Sequence, residues 1–259
     1  MRWMFALVLV AGVGMVAGCR PAPTNNRIDP NIVQWDHSPT TIVFRADVIG
    51  GESDFRARNA IPNCTIYGDD RVVWVNELGP FQVQVLEDRL PDAQISAYAQ
   101  YLAANERIYT YDAHLSDVET QSAVSPVAET VTINVNNTQH QADSFSGWDS
   151  NWFPTVLAAC KGLSKAPVLV APSSGWLSAE KVDFSMSLPL ATWDEKAMGL
   201  SLDAVTGGSP RWMSGNSASQ LWNTLHSLPS NLIFQDGTDY YAVALQVPGI
   251  TRDAPAAPS

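Results

Sequence analysis

The chain has 259 residues, 26 acidic side chains against 15 basic ones, a formal net charge of −11 and 46% hydrophobic residues. That length suits one large domain or two small ones with a substantial core. The charge balance excludes a nucleic-acid partner as an expectation, because no Lys/Arg run offers the basic surface that displaces phosphate counterions; Arg56 and Arg58 form only an isolated cluster.

The first segment, MRWMFALVLVAGVGMVAGC, has a basic Arg2, an apolar run from Phe5 to Val16 and small residues before Cys19. That is the pattern of a signal peptide, and its apolar run falls short of the ~18 to 20 residues of a spanning helix. The segment Val16-Ala17-Gly18-Cys19 resembles the lipobox of bacterial lipoproteins. The resemblance covers this leader alone. It implies cleavage after Gly18, diacylation of the Cys19 thiol, and a lipid-anchored, extracytoplasmic protein at the cell membrane or the outer membrane. Arg20 in place of Asp after the cysteine favours outer-membrane sorting if the host is Gram-negative. An ordinary secretory signal or an uncleaved anchor are the alternatives. Residues 1–18 are therefore the signal peptide, and the polar, proline-containing residues 19–38 a flexible tether.

Residues 39–250 are expected to form a single globular domain, with a subdivision near 162–167 as the alternative. TIVFRADVI alternates from Ile42 to Val48 and predicts a half-buried strand. CTIYGDDRVVWV, Cys64 to Val75, predicts a hairpin turning at Gly68, Asp69 and Asp70; FQVQVLE, from Phe81, predicts a further strand. Pro91 at a first helical position, with Ile95, Tyr98 and Leu102 at i, i+3 and i+7 in their spacing, predicts a helix. RIYTYD reads as a strand, and Val131, Ile133 and Val135 alternate before a hairpin turn near Asn136-Asn137. A helix over Ser150–Leu163 would bury Trp152, Val156, Ala159, Cys160 and Leu163.

Beyond Lys165, APVLVAP suggests a short buried strand, KVDFSMSL an alternating strand and GGSPRWMSGNS an irregular loop. Ser217 and Gln220 suggest a capping box for a helix ending near His226, and Asp236-Gly237 a closing hairpin. Residues 251–259 read as a disordered tail. Hairpins followed by helices, without strict β-α-β alternation, predict an α+β fold: a mainly antiparallel sheet built from hairpins, with two or three packed helices.

Several motifs invite chemistry. The Gly68-Asp69-Asp70 hairpin resembles the palm motif of template-dependent RNA polymerases and reverse transcriptases, where adjacent carboxylates hold magnesium. No basic channel accompanies it, and a structural turn explains the residues. The segment also resembles a strand-Tyr-Gly-Asp-Gly-strand pattern of uncharacterised bacterial secreted proteins, from which it departs with Asp70 in place of the second glycine, and which implies no activity. The histidines, His37, His114, His140 and His226, lack metal-ligand spacing, so no metal and no cofactor is expected. Asp236-Gly237-Thr238-Asp239 is too short for a calcium loop of the EF-hand kind. With Cys19 acylated, Cys64 and Cys160 are the remaining intramolecular pair; a bond would close a span of about 96 residues, for which chain entropy gives roughly 4 to 5 kcal/mol. Two buried thiols are the alternative. Trp176, Trp193 and Trp212 have loop-like flanks and form a candidate aromatic platform for a glycan or a partner protein.

Three readings of function follow. The first is a non-catalytic binding or envelope-structural lipoprotein. The second is an envelope hydrolase with a noncontiguous site of Ser174, His226 and an aspartate. The third is an inhibitor or accessory subunit acting beside a partner.

Overall fold

A computed structural model of the chain describes residues 33–51, 55–79, 82–119 and 124–258. The signal peptide, Cys19, most of the tether and Phe81 lie outside the described residues.

The strands of the first sheet are β1 (Ile42–Ile49), β2 (Cys64–Tyr67), β3 (Arg71–Gly79), β4 (Gln82–Arg89), β5 (Ala128–Val135), β6 (Thr138–Asp143) and β7 (Val168–Leu169). Their order is β6-β5-β1-β2-β3-β4-β7, and every pairing is antiparallel. The second sheet holds β8 (Ser174–Lys181), β9 (Leu190–Thr192), β10 (Arg211–Ser214), β11 (Ile233–Asp236) and β12 (Asp239–Gln246), in the order β10-β8-β12-β11-β9. Only its β9–β11 pair is parallel. The helices are α1 (Asp92–Ala104), α2 (Leu115–Glu119), α3 (Trp152–Lys161), α4 (Glu195–Met198) and α5 (Asn216–Ser227). The fold is α+β with largely antiparallel sheets.

Alternation explains how the first sheet serves two cores. Phe44, Ile66, Val72, Trp74, Leu86, Val131 and Ile133 point to one face, where Ile95, Tyr98 and Leu102 of α1 and Trp152, Phe153, Val156 and Cys160 of α3 cover them. The opposite face of the central strands carries Tyr67, Val73 and Val85 into a second core with Leu177, Tyr241, Val243 and Leu245 of the second sheet and Leu221 and Trp222 of α5. The first sheet is the middle layer, with all four residues of β2 buried.

Two links bind α3 to its surroundings. The Tyr98 hydroxyl donates to the Val156 carbonyl at 3.0 Å, joining α1 to α3, and Cys64 of β2 is disulfide-bonded to Cys160 of α3. Both cysteines are fully buried.

The turns follow their residues. Asn136 and Asn137 both adopt positive φ, 53° and 57°, as a two-residue hairpin with right-twisted strands requires. In the Gly68 hairpin the positive φ falls on Asp70 (69°). Gly68 serves a different need, since a Cβ there would lie 2.0 Å from the Asp36 carbonyl oxygen and 2.6 Å from that of Ser38.

Several local expectations are corrected. RIYTYD is not a strand: Arg107 turns left-handed (φ 53°), and Ile108–Thr110 form one 3-10 turn that buries Ile108. Pro91 is the N-cap of α1 and not its first residue. The short strand at APVLVAP is exposed at Val168 and Leu169, because β7 is the outermost strand of its sheet. KVDFSMSL is not a strand, since pairing with β12 places β8 upstream, and Phe184 and Met186 are exposed. The GGSPRWMSGNS segment contains β10, whose Met213 is buried. The capping box is absent: Gly215 is the N-cap of α5, and the Ser217 hydroxyl donates to the Ala197 carbonyl.

The final segment also differs from the expected tail. Thr251 is buried with its hydroxyl on Val247, and Arg252 donates from Nε and Nη2 to the Asp47 carboxylate at 2.6 and 2.8 Å. The Trp176 indole donates to the Ala256 carbonyl at 2.9 Å. Periodicity carries no signal for a segment whose order comes from single long-range polar contacts.

Two outcomes are expected. Replacing both Cys64 and Cys160 with Ala lowers stability by about 2 to 5 kcal/mol, read as a drop in urea midpoint with far-UV circular dichroism unchanged. Arg252→Ala, which leaves the 2%-exposed Asp47 carboxylate without its cation, costs about 3 to 5 kcal/mol by the same measurement.

Candidate functional site

A partly open cavity of about 400 Å³ lies between the two sheets at one end of the second core. Its walls come from distant parts of the chain: Ile61 after the 3-10 turn Phe55–Asn59, Val75 of β3, Val83 of β4, Val243 of β12, and Leu225 and Leu232 around the end of α5. Each is apolar for the ordinary reason that it faces a core, and the cavity forms where those faces diverge. Among these walls sit a few polar groups, including His226, Ser230 and Asn231.

His226 closes the last turn of α5. Its Nδ1 is 2.8 Å from the Trp222 carbonyl oxygen, which can only accept, so Nδ1 carries the proton and Nε2 of the neutral ring is an acceptor. The imidazole lies against the Trp222 indole, ring centroids 3.9 Å apart. Burial holds its pKa below the ordinary histidine range, with the Trp222 carbonyl opposing that shift. Asn231 Oδ1 is buried without a hydrogen-bond partner. The lining therefore combines apolar walls with Arg56, with Asn59, whose amide is engaged by Val243 and Leu245, and with two residues that offer acceptors, His226 at Nε2 and Asn231 at Oδ1. A second groove, of about 570 Å³, runs between β4 and α5 and shares Val83 and His226 with the first.

A hydrolase triad does not assemble here. Ser174 starts β8 opposite Ser214 and lines neither space beside His226. No carboxylate lines either space, and Nδ1 of His226 is bound to a carbonyl where a triad uses a carboxylate. Ser230 lines the cavity without a hydrogen bond to His226.

The other sequence candidates fall elsewhere. Trp176 and Trp212 are cross-strand neighbours on β8 and β10, half-buried and edge-to-face with centroids 5.3 Å apart. Trp193 does not join them: it is 5% exposed, packs edge-on against Phe234 in the second core and donates to the Leu200 carbonyl. In the Gly68 hairpin, Asp69 pairs with Arg71 at 2.8 Å. Burial first, and then neighbouring Asp92, raise the Asp70 carboxyl above its ordinary range, while His37 opposes the shift. Among the described residues no group of three or more His, Cys, Asp or Glu side chains is arranged to hold a metal, and no helix is long and apolar enough to cross a membrane. Cys19 lies outside the described residues.

No family model, curated protein or solved structure matches the chain.

The neutral state of His226 has a pH signature. Its folded pKa lies below the unfolded value near 6.5, so the unfolded chain takes up the proton first as pH falls. Stability present above about pH 6.5 is lost as pH falls below it, until the folded pKa is reached. The melting temperature of the native protein is expected to fall more steeply between about pH 7 and 5 than that of His226→Gln, measured by scanning calorimetry in matched buffers.

Proposed function

We propose that the protein is a lipid-anchored extracytoplasmic lipoprotein with a non-catalytic binding role, and that the cavity beside His226 holds its ligand. The observation that carries the binding role is that cavity. It has largely apolar walls, two lining residues that offer acceptors and no nucleophile paired with a base, which is the make-up of a recognition pocket. The ligand class follows from the acceptors: a small, mainly apolar molecule offering an N–H or O–H donor. The Cys64–Cys160 bond supports the compartment, since such bonds persist where the medium is oxidising. The leader, with its lipobox-like Val16-Ala17-Gly18-Cys19, supports the anchor.

The test has two arms. Intact mass of the protein from detergent-solubilised membranes is expected to match a chain beginning at an acylated Cys19, with Cys19→Ser moving the protein to the soluble fraction. A library of small apolar alcohols and amides is then titrated against the native protein and against Val83→Trp, which fills the cavity. Saturable binding lost in the Val83→Trp variant supports the pocket; no binding by the native protein sinks it.

A further inference from the structure

One face of the first sheet changes character along its width. Over β2, β3 and β4 it carries Tyr67, Val73 and Val85 under the second core. Over β1, β5 and β6 the same face is polar, and the register sets the pattern: Arg45 stands opposite Thr65 and Thr132, Asp47 opposite Thr130, Thr132 opposite Gln141, and Thr130 opposite Asp143. With α2 and Arg252–Asp253 this half-face lines a cleft of about 400 Å³, which shares no residue with the cavity at His226.

Most of its polar groups are already engaged. Asp47 is held by Arg252, and the Thr130 hydroxyl donates to the Asp47 carbonyl. Asp143 accepts from the backbone N–H groups of His114, Leu115 and Phe145. Arg45 is engaged without a carboxylate partner. Its half-buried guanidinium donates to the Tyr67 phenol and forms no ion pair with a carboxylate of the described residues, and its Nε–H is buried without an acceptor. A cation taken partly out of water without a counter-ion is costly, and here it persists in a chain with a net charge of −11.

The charge pattern selects the ligand. A guanidinium matches a planar carboxylate through two parallel hydrogen bonds. Two exposed carboxylates, Glu119 and Asp253, line the same cleft and oppose a ligand that carries negative charge alone. They favour one that also carries an ammonium group. We propose that this cleft binds a small zwitterion of the α-amino-acid type, its carboxylate on Arg45 and its ammonium toward Glu119 and Asp253. This site stands independently of the ligand assigned to the cavity at His226.

Isothermal titration calorimetry of the full chain with each proteinogenic α-amino acid, and separately with acetate, methylammonium and inorganic phosphate, tests the assignment. At least one amino acid is expected to bind saturably, with acetate and phosphate weaker by about tenfold or more. Arg45→Gln and Glu119→Gln, each checked for native circular dichroism, are expected to weaken that amino acid by about tenfold. Glu119 is exposed on α2, so its variant carries the test if the Arg45 variant fails to fold. The assignment is overturned if the native chain binds no amino acid, if acetate or phosphate binds as tightly, or if affinity survives in a folded variant of either residue.

Discussion

The constraint on which the rest of this structure depends is the burial of the central strands of the first sheet on both faces. β2 has no exposed residue: Cys64 and Ile66 face the helical layer, and Thr65 and Tyr67 face the second sheet. With side chains alternating at a period of two, a one-residue slip of β2 would exchange these sets and carry Cys64 away from α3. The Cys64–Cys160 bond is compatible with only one register, and that register also decides which residues of β1 and β5 share the second face. Packing and crosslink select the same pairing.

Both cavities are consequences of how that second face is covered. The second sheet and α5 cover it over β2, β3 and β4, and the apolar space at His226 opens where the two sheets and the end of α5 separate. Towards β5 and β6 the apolar cover stops, and the exposed half-face becomes threonine, glutamine and charged residues. The difference in lining follows from position under the same roof. Asp47 sits at this transition, nearly inaccessible, and its charge is tolerated because Arg252 returns from the far end of the chain to meet it in a paired geometry.

Local chemistry and long-range order divide the polar side chains in the same way. His226 is held neutral by its burial, while its own helix fixes the Nδ1 proton through the Trp222 carbonyl four residues back, with the Trp222 ring beside it. Its Nε2 is left an acceptor by the Nδ1–H bond to that carbonyl, and strands from elsewhere supply the apolar walls around the ring. Trp176 and Trp212 meet because β8 and β10 pair, whereas Trp193, with similar flanks, is drawn inside by Phe234. Sequence flanks report local chain character, and these three residues were separated by tertiary pairing.

What the sequence by itself determined lies where the signal is local. Alternation placed β1, the Gly68 hairpin and the Asn136-Asn137 hairpin, the i, i+3, i+7 spacing marked the buried stripe of α1, and Asp236-Gly237 marked the last turn. Together these gave an α+β fold with mainly antiparallel sheets. Only the tertiary structure decided the strand order, the division into two sheets, that Cys64 and Cys160 are bonded and not two buried thiols, the anchoring of residues 251–253 and both clefts. The physical reason is one of range. A strand's alternation depends on its immediate neighbours, but Asp47 and Arg252, or Val83 and Val243, meet only when the whole chain has folded, and neither residue of a pair carries a mark of the other.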